Sequence, residues 1–121
     1  MTINIPTTDK KYFRQCLEIL KVFPPLDKAS NRELDVLGGL LYYNYKFRDI
    51  KDIKLRNKLI FDYDTLIAIS DDLEIPKYSV DNLISKLRKN KIIRGRELLS
   101  NYGISLDTTT ITFNFNIEKN D

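Results

Sequence analysis

Histidine is absent from this sequence and cysteine occurs once. Without histidine there is no Ser–His pair and no imidazole general base. The lone thiol of Cys16 cannot build a zinc site or an intrachain disulfide. Catalysis is therefore not expected, and no catalytic residue, metal ligand or cofactor is assigned. A single unpartnered cysteine also fits a reducing compartment. Long apolar runs are missing too, since none approaches the roughly 18–20 residues that span a bilayer. Met1 is followed by Thr-Ile-Asn-Ile-Pro, which has neither the basic start nor the apolar stretch of a secretory signal. The expectation is a cytoplasmic protein with no membrane partner, or a component of a virion assembled in a cytoplasm. No repeat, low-complexity tract or flexible linker divides the 121 residues, a length that suits one domain. With 42% apolar and 31% charged residues, the composition is that of a globular chain and not of a disordered one.

Charge is modest in total and uneven in distribution. The formal net charge is +3, yet residues 77–96 hold seven basic side chains against Asp81 alone, a net +6. A second basic stretch, 46–58, holds six against Asp49 and Asp52. Between them no Lys or Arg occurs from 59 to 76, where Asp62, Asp64, Asp71, Asp72 and Glu74 fall. Charge sorted in this way points to one face that attracts polyanions; solvated helix faces are the plainer explanation.

Apolar spacing predicts a helix over about 9–22, with Asp9 as N-cap and Phe13, Cys16, Leu17 and Leu20 on one stripe, ended by Pro24-Pro25. Ser30-Asn-Arg-Glu33 reads as a capping box opening a helix to about residue 47, with Leu34, Leu37, Leu41 and Tyr45 on one side. Gly38-Gly39 inside it costs about 1 kcal/mol per glycine relative to alanine, which the close approach of another helix would offset. Its aromatic end, Tyr42, Tyr43, Tyr45 and Phe47, reads as core or interface, with a base-stacking platform as the alternative. Residues 51–61 predict a shorter helical segment burying Ile53, Leu55, Leu59 and Ile60.

The most informative stretch is Asp64 to Ile93. Asp64 is placed to cap a helix carrying Leu66, Ile69 and Leu73; a break follows at Glu74-Ile75-Pro76. A second helix then runs from Pro76 to about Lys89, with Val80, Leu83 or Ile84, and Leu87 inside. Pro is tolerated in a first turn. Leu73, Ile75, Val80 and Leu87 are expected to lock the two helices at a steep angle, with small Ser70 at their closest approach. The second helix would then project rigidly enough to enter a major groove about 12 Å wide. Its outward residues would be Lys77, Tyr78, Asp81, Asn82, Ser85, Lys86 and Lys89, a set with cations for phosphates, an amide for an adenine edge and a lysine for guanine.

The run from Ile69 to Ile93 resembles the helix-turn-helix of winged-helix and related bacterial regulators, and Ser30-Asn-Arg-Glu-Leu-Asp-Val-Leu37 is similar to the opening of LuxR-type and sigma-factor DNA-binding regions. Three positions depart from that pattern. Glu74 stands for the usual turn glycine, Pro76 for the capping serine, and Lys91 for a glycine that often follows the recognition helix. The resemblance implies a hairpin after the recognition helix. Here Arg94-Gly-Arg-Glu-Leu-Leu99 reads as a strand and Ser100-Asn-Tyr-Gly103 as a turn. Thr110–Ile117 alternates as a half-buried strand, with Ile111, Phe113, Phe115 and Ile117 on one face, and Thr2–Ile5 is a candidate third strand. The fold expected is mainly α with a small C-terminal β-hairpin: a winged helix-turn-helix (63–93, wing 94–117) with an N-terminal helical extension (1–62).

Two functions follow. The first is a nucleic-acid-binding regulator of transcription or replication, acting on double-stranded DNA through Lys77, Tyr78, Asn82, Ser85, Lys86, Lys89, Arg94 and Arg96, and expected as a dimer on a two-fold site. The second rests on the Arg-Glu-Leu-Asp-Val-Leu helix, Leu59-Ile-Phe-Asp-Tyr-Asp-Thr65 and Ser85-Lys-Leu-Arg-Lys89, which resemble small proteins of crAss-like tailed phages, some of them in the virion neck. On that reading the basic face would meet acidic protein neighbours in a closed homo-oligomeric ring, with Tyr42, Tyr43 and Phe47 as anchors.

Overall fold

A computed structural model describes residues 2–98, 102, 104 and 112–118. The chain is mainly helical: α1 (Asp9–Leu20), α2 (Asn31–Lys46), α3 (Ile53–Ile60), α4 (Tyr63–Leu73) and α5 (Lys77–Lys89), followed by strands β1 (Ile93–Arg94) and β2 (Glu97–Leu98). Its described core takes side chains from Tyr12 through to Ile104.

Helix α1 begins one residue earlier than Asp9 would set it. Thr8 is the extended N-cap and its hydroxyl accepts the amide of Lys11. Helix α1 ends at Leu20, two residues before the expected limit. Proline at 24 removes the amide that would have bonded the Leu20 carbonyl, and Phe23 N–H takes that carbonyl instead, at 3.0 Å. A single 3-10 turn, Leu26–Lys28, leads to α2. The capping box forms as expected: Glu33 N–H reaches the Ser30 hydroxyl at 3.2 Å, and the Glu33 carboxylate accepts Ser30 N–H at 2.6 Å.

Helix α2 touches all four other helices, and Leu34, Val36, Leu37, Leu40 and Leu41 are buried along it. Its glycine pair is where neighbours come closest. A Cβ on Gly38 would stand 3.2 Å from the Arg14 backbone of α1, and one on Gly39 would stand 3.2 Å from Ile69 of α4. The aromatic end packs around this core: Tyr42, Tyr43, Tyr45 and Phe47 are half-buried against it, with Tyr45 6.0 Å from Phe13.

Helix α3 departs from the expected burial. Ile60 is buried, but Ile53 is 67% exposed and Leu55 47% exposed. The helix has only eight residues, and its burial is confined to the second turn, where Arg56, Asn57 and Leu59 are half-buried and Ile60 buried, while residues 53–55 are exposed. Asp62, not Asp64, caps α4, accepting Tyr63 N–H at 2.9 Å. The Thr65 hydroxyl donates to the Leu59 carbonyl at 2.7 Å, tying the two helices together.

Both helices that flank the 74–76 turn end in the same way. Ile75 N–H reaches the Ser70 carbonyl at 3.1 Å and Glu74 N–H reaches Asp71 at 3.2 Å; Ile92 N–H reaches Leu87 at 3.0 Å and Lys91 N–H reaches Arg88 at 2.9 Å. These are Schellman pairs, in which the penultimate link adopts the left-handed conformation that glycine usually supplies. Here Glu74 (φ 56°) and Lys91 (φ 60°) adopt it instead. The two departures from the regulator pattern are thus tolerated by the turn geometry. Pro76 is the extended N-cap of α5, without a side-chain cap.

The two-residue strands pair antiparallel, Ile93 with Leu98 and Arg94 with Glu97, so the turn falls at Gly95-Arg96. Residues 93–98 are therefore two strands around a turn, where a single strand over 94–99 was expected; residue 99 lies outside the described set. The turn expected at 100–103 lies largely outside the described residues. Residues 112–118 carry no strand and are exposed, as are residues 2–5. The short hairpin offers too little edge to recruit either; residues 110 and 111 lie outside the described set.

Val80, Ile84 and Leu87 are buried on the inner face of α5. Val80→Asp or Leu87→Asp should destabilise the fold by at least about 3 kcal/mol, because an unpaired carboxylate enters an apolar core; urea titration followed by circular dichroism reads this. Conversely, Glu74→Gly and Lys91→Gly should each raise stability by roughly 0.5–1 kcal/mol. The left-handed penalty of about 1–2 kcal/mol disappears and glycine's extra chain entropy returns part of it. An unchanged or lowered melting temperature in both variants would contradict the assignment of these caps.

Candidate nucleic-acid interface

With Val80, Ile84 and Leu87 turned inward, helical geometry decides what α5 presents outward. Tyr78, Asn82, Ser85, Lys86 and Lys89 recur at steps of three and four along one stripe, and all five are exposed. The Ser85 hydroxyl donates to the Asp81 carbonyl at 3.1 Å, which holds it close to the helix.

Lys77 is placed differently. Its ammonium lies 3.0 Å from the Asp81 carboxylate and 5.2 Å from the centre of the Tyr63 ring. It is half-buried along the flank of α5, with its charge matched, and does not stand in the outward stripe.

The hairpin is fastened beside this surface at two points. Arg88 Nε donates to the Gly95 carbonyl at 2.6 Å, and the Asn57 side-chain carbonyl accepts Leu98 N–H at 3.3 Å. Behind it, the Tyr102 hydroxyl donates to the Ile92 carbonyl at 3.2 Å. Gly95 takes φ 57°, and nothing lies within 4 Å of where its Cβ would be. The glycine is needed there for its backbone and not for space.

Arg88 is the residue that the outward set left out. It lines a groove with Lys77, Ser85 and Arg96, closed by Tyr63 and by the carboxylates of Asp62 and Asp81. On its other side it lines a second groove with Lys91 and Arg94. Arg94 and Arg96, both exposed, are thus joined to α5 through Arg88. Nothing in the helical periodicity separates Arg88 from any solvated cation. The one available signal was a turn glycine seven residues further on, whose carbonyl an arginine at the end of α5 can reach.

Among the described residues, Lys86, Arg88, Lys89, Lys91, Arg94 and Arg96 form no salt bridge; the six that occur involve Lys10, Arg14, Lys21, Arg32 and Lys77. Six cations with no carboxylate partner among the described residues therefore lie on α5, the link after it and the hairpin. In the second basic stretch Lys51, Lys54 and Lys58 are likewise exposed and outside these salt bridges, while two arginines are held locally. Arg48 lies 4.2 Å over the Tyr45 ring, and Arg56 donates twice to the Ile50 carbonyl, at 3.0 and 2.6 Å.

Elsewhere, burial pushes the Cys16 thiol above its ordinary range, which makes it a poor nucleophile. Burial likewise pushes the Tyr12 hydroxyl up to about 12. Among the described residues no group of three or more His, Cys, Asp or Glu is placed to hold a metal ion. No helix among them is long and apolar enough to cross a membrane. No family model matches the chain, and no curated protein or solved structure matches it either.

Gly95→Ala should cost about 1 kcal/mol, the left-handed penalty of a residue with a Cβ, lowering the melting temperature by roughly 4 °C for a chain of this size. The loss should be local: amide exchange should quicken at Leu98 before it does at Val80 or Leu87. Uniform loss of protection would show that the hairpin is not a separate element.

Proposed function

We propose that this chain is a nucleic-acid-binding protein of winged helix-turn-helix type, a regulator of transcription or replication, that binds duplex DNA with α5 in the major groove and the hairpin against the backbone. The observation that carries the reading is the group of six cations, without carboxylate partners among the described residues, that runs from the end of α5 into the hairpin beside an outward stripe of polar groups. Thirteen residues of helix span about 20 Å, enough to cross a groove about 12 Å wide. In this reading Asn82 and Lys86 face base edges, the former suited to adenine and the latter to guanine. Tyr78 and Ser85 hydrogen-bond phosphate or sugar. Lys89, Arg88, Lys91, Arg94 and Arg96 neutralise phosphates and release their counterions. Lys77 contributes less than its position in the sequence implies, because Asp81 already holds it.

A second reading, an assembly protein in the neck of a tailed-phage virion, is favoured by one observation: Ile53 and Leu55 stand exposed at the start of α3, as contact residues of a ring would. The same basic face would then meet acidic neighbours.

Fluorescence anisotropy with a labelled DNA duplex separates the two. Wild type should bind at low salt, with an affinity that falls about as the fourth to fifth power of salt concentration if five phosphates are contacted. The combined K86E, R88E and K89E substitutions should weaken binding by at least about 100-fold, with the helical circular dichroism unchanged because all three side chains are exposed. Absence of wild-type binding at low salt would remove the regulator reading.

A further inference from the structure

The segment 112–118 alternates apolar and polar side chains, with Phe113, Phe115 and Ile117 set against Thr112, Asn114 and Asn116. That is the pattern of a strand with one dry face. Among the described residues, however, it has no strand partner, and Phe115 and Ile117 are 87% and 89% exposed. One contact sets its position: the Phe113 ring stacks on Phe23, with centroids 5.7 Å apart and planes 19° from parallel. Phe23 and its neighbour Val22 lie just beyond the end of α1 and are themselves exposed. The Phe113–Phe23 stack thus joins the exposed end of α1 to a segment whose Phe115 and Ile117 are also exposed.

We propose that these apolar side chains form a dimerisation site, and that its occupant is the same segment of a second copy, paired antiparallel about a two-fold axis through Phe115. The sequence of the segment is complementary to itself in that register. Phe113 falls opposite Ile117 of the second copy, Phe115 opposite its own equivalent, Asn114 opposite Asn116, and Thr112 opposite Glu118. Every apolar side chain then lies on one face, and aromatic against β-branched is a favourable cross-strand pair. The stacking of Phe113 on Phe23 directs that face onto the α1 ends of both copies.

Area supports the same occupant. A phenylalanine carries roughly 200 Å², and Val22, Phe23, Phe113, Phe115 and Ile117 together expose on the order of 600 Å² per copy; two copies thus reach the roughly 1,000 Å² that a specific interface requires. A different protein would have to bring its own alternating strand, whereas each copy of this chain already holds one. The interface is isologous and closes at two copies. It needs no nucleic acid, so its test is run without DNA, and its failure leaves the α5 surface unaffected.

Size-exclusion chromatography with light scattering on the full chain, at micromolar concentration and above, should give twice the 14.2 kDa chain mass. Phe115→Asp should reduce this to one chain mass and leave the circular dichroism spectrum unchanged, because the side chain contributes nothing to the core. Phe115→Cys should be cross-linked into a dimer by a short thiol-reactive bifunctional reagent, since directly opposed Cβ atoms in an antiparallel pair lie about 4.5–5.5 Å apart, too far for a direct disulfide; Cys16 is buried and does not compete. A monomeric wild type, a mass of three chains or more, a dimer that survives Phe115→Asp, or a dimer that Phe115→Cys fails to cross-link would each overturn the proposal.

Discussion

The structure depends on one close approach. Helix α2 runs between α1 and α4, and at Gly38 and Gly39 both neighbours come within 3.2 Å of where a side chain would begin. Two interior glycines weaken the helix by about 1 kcal/mol each, and the dispersion gained across two tightly packed contacts offsets this. Because α2 then reaches every other helix, its buried leucines form a floor shared by the whole described core. Helix α5 rests on that floor and on α4, so the orientation of its outer stripe is inherited from the packing of α2.

Two consequences meet at the candidate interface. The first is mechanical: α5 is bounded on each side by a turn in which backbone donors close on helix-end carbonyls, while Ile75 is half-buried and Ile92 fully buried behind them. A helix held at both ends and along one face has little freedom to swing. The second is electrostatic. Asp81, the one carboxylate on α5, bonds Lys77 at the start of the same helix, while Asp72 bonds Lys10 and Asp35 bonds Arg14 at α1. The charge that remains on the end of α5 and on the hairpin is therefore positive.

Local patterns were readable wherever neighbours in sequence decide the outcome. The capping box at Ser30 and Glu33, the α1 stripe, the break at Glu74–Pro76 and the inner face of α5 are all set within one or two turns of chain. Misreadings cluster where the outcome depends on something distant. Ile53 and Leu55 have the spacing of core residues, but in a helix as short as α3 burial is confined to the second turn. The alternating C-terminal segment has the pattern of a sheet strand, but a hairpin of two-residue strands leaves nothing for it to extend. The N-caps are a local exception: Thr8 and Asp62, each an adequate acceptor, stand one and two residues before Asp9 and Asp64 and cap the helices instead.

For the candidate site the division is similar. Tyr78, Asn82, Ser85, Lys86 and Lys89 could be assigned to the outer stripe from helical periodicity, since burying Val80 and Leu87 leaves the opposite face no alternative. The Lys77–Asp81 pair, four residues apart on one helix, was open to a sequence reading; the approach of Lys77 to Tyr63, and the position of Arg88 between α5 and the Gly95 turn, were decided only in three dimensions. Sequence alone determined which residues form helices and, in α1, α2, α4 and α5, which face is apolar, because hydrophobic periodicity and capping are short-range. Tertiary structure alone decided which charges remain unpaired and which apolar side chains remain uncovered, because both depend on what distant segments bring within a few ångströms.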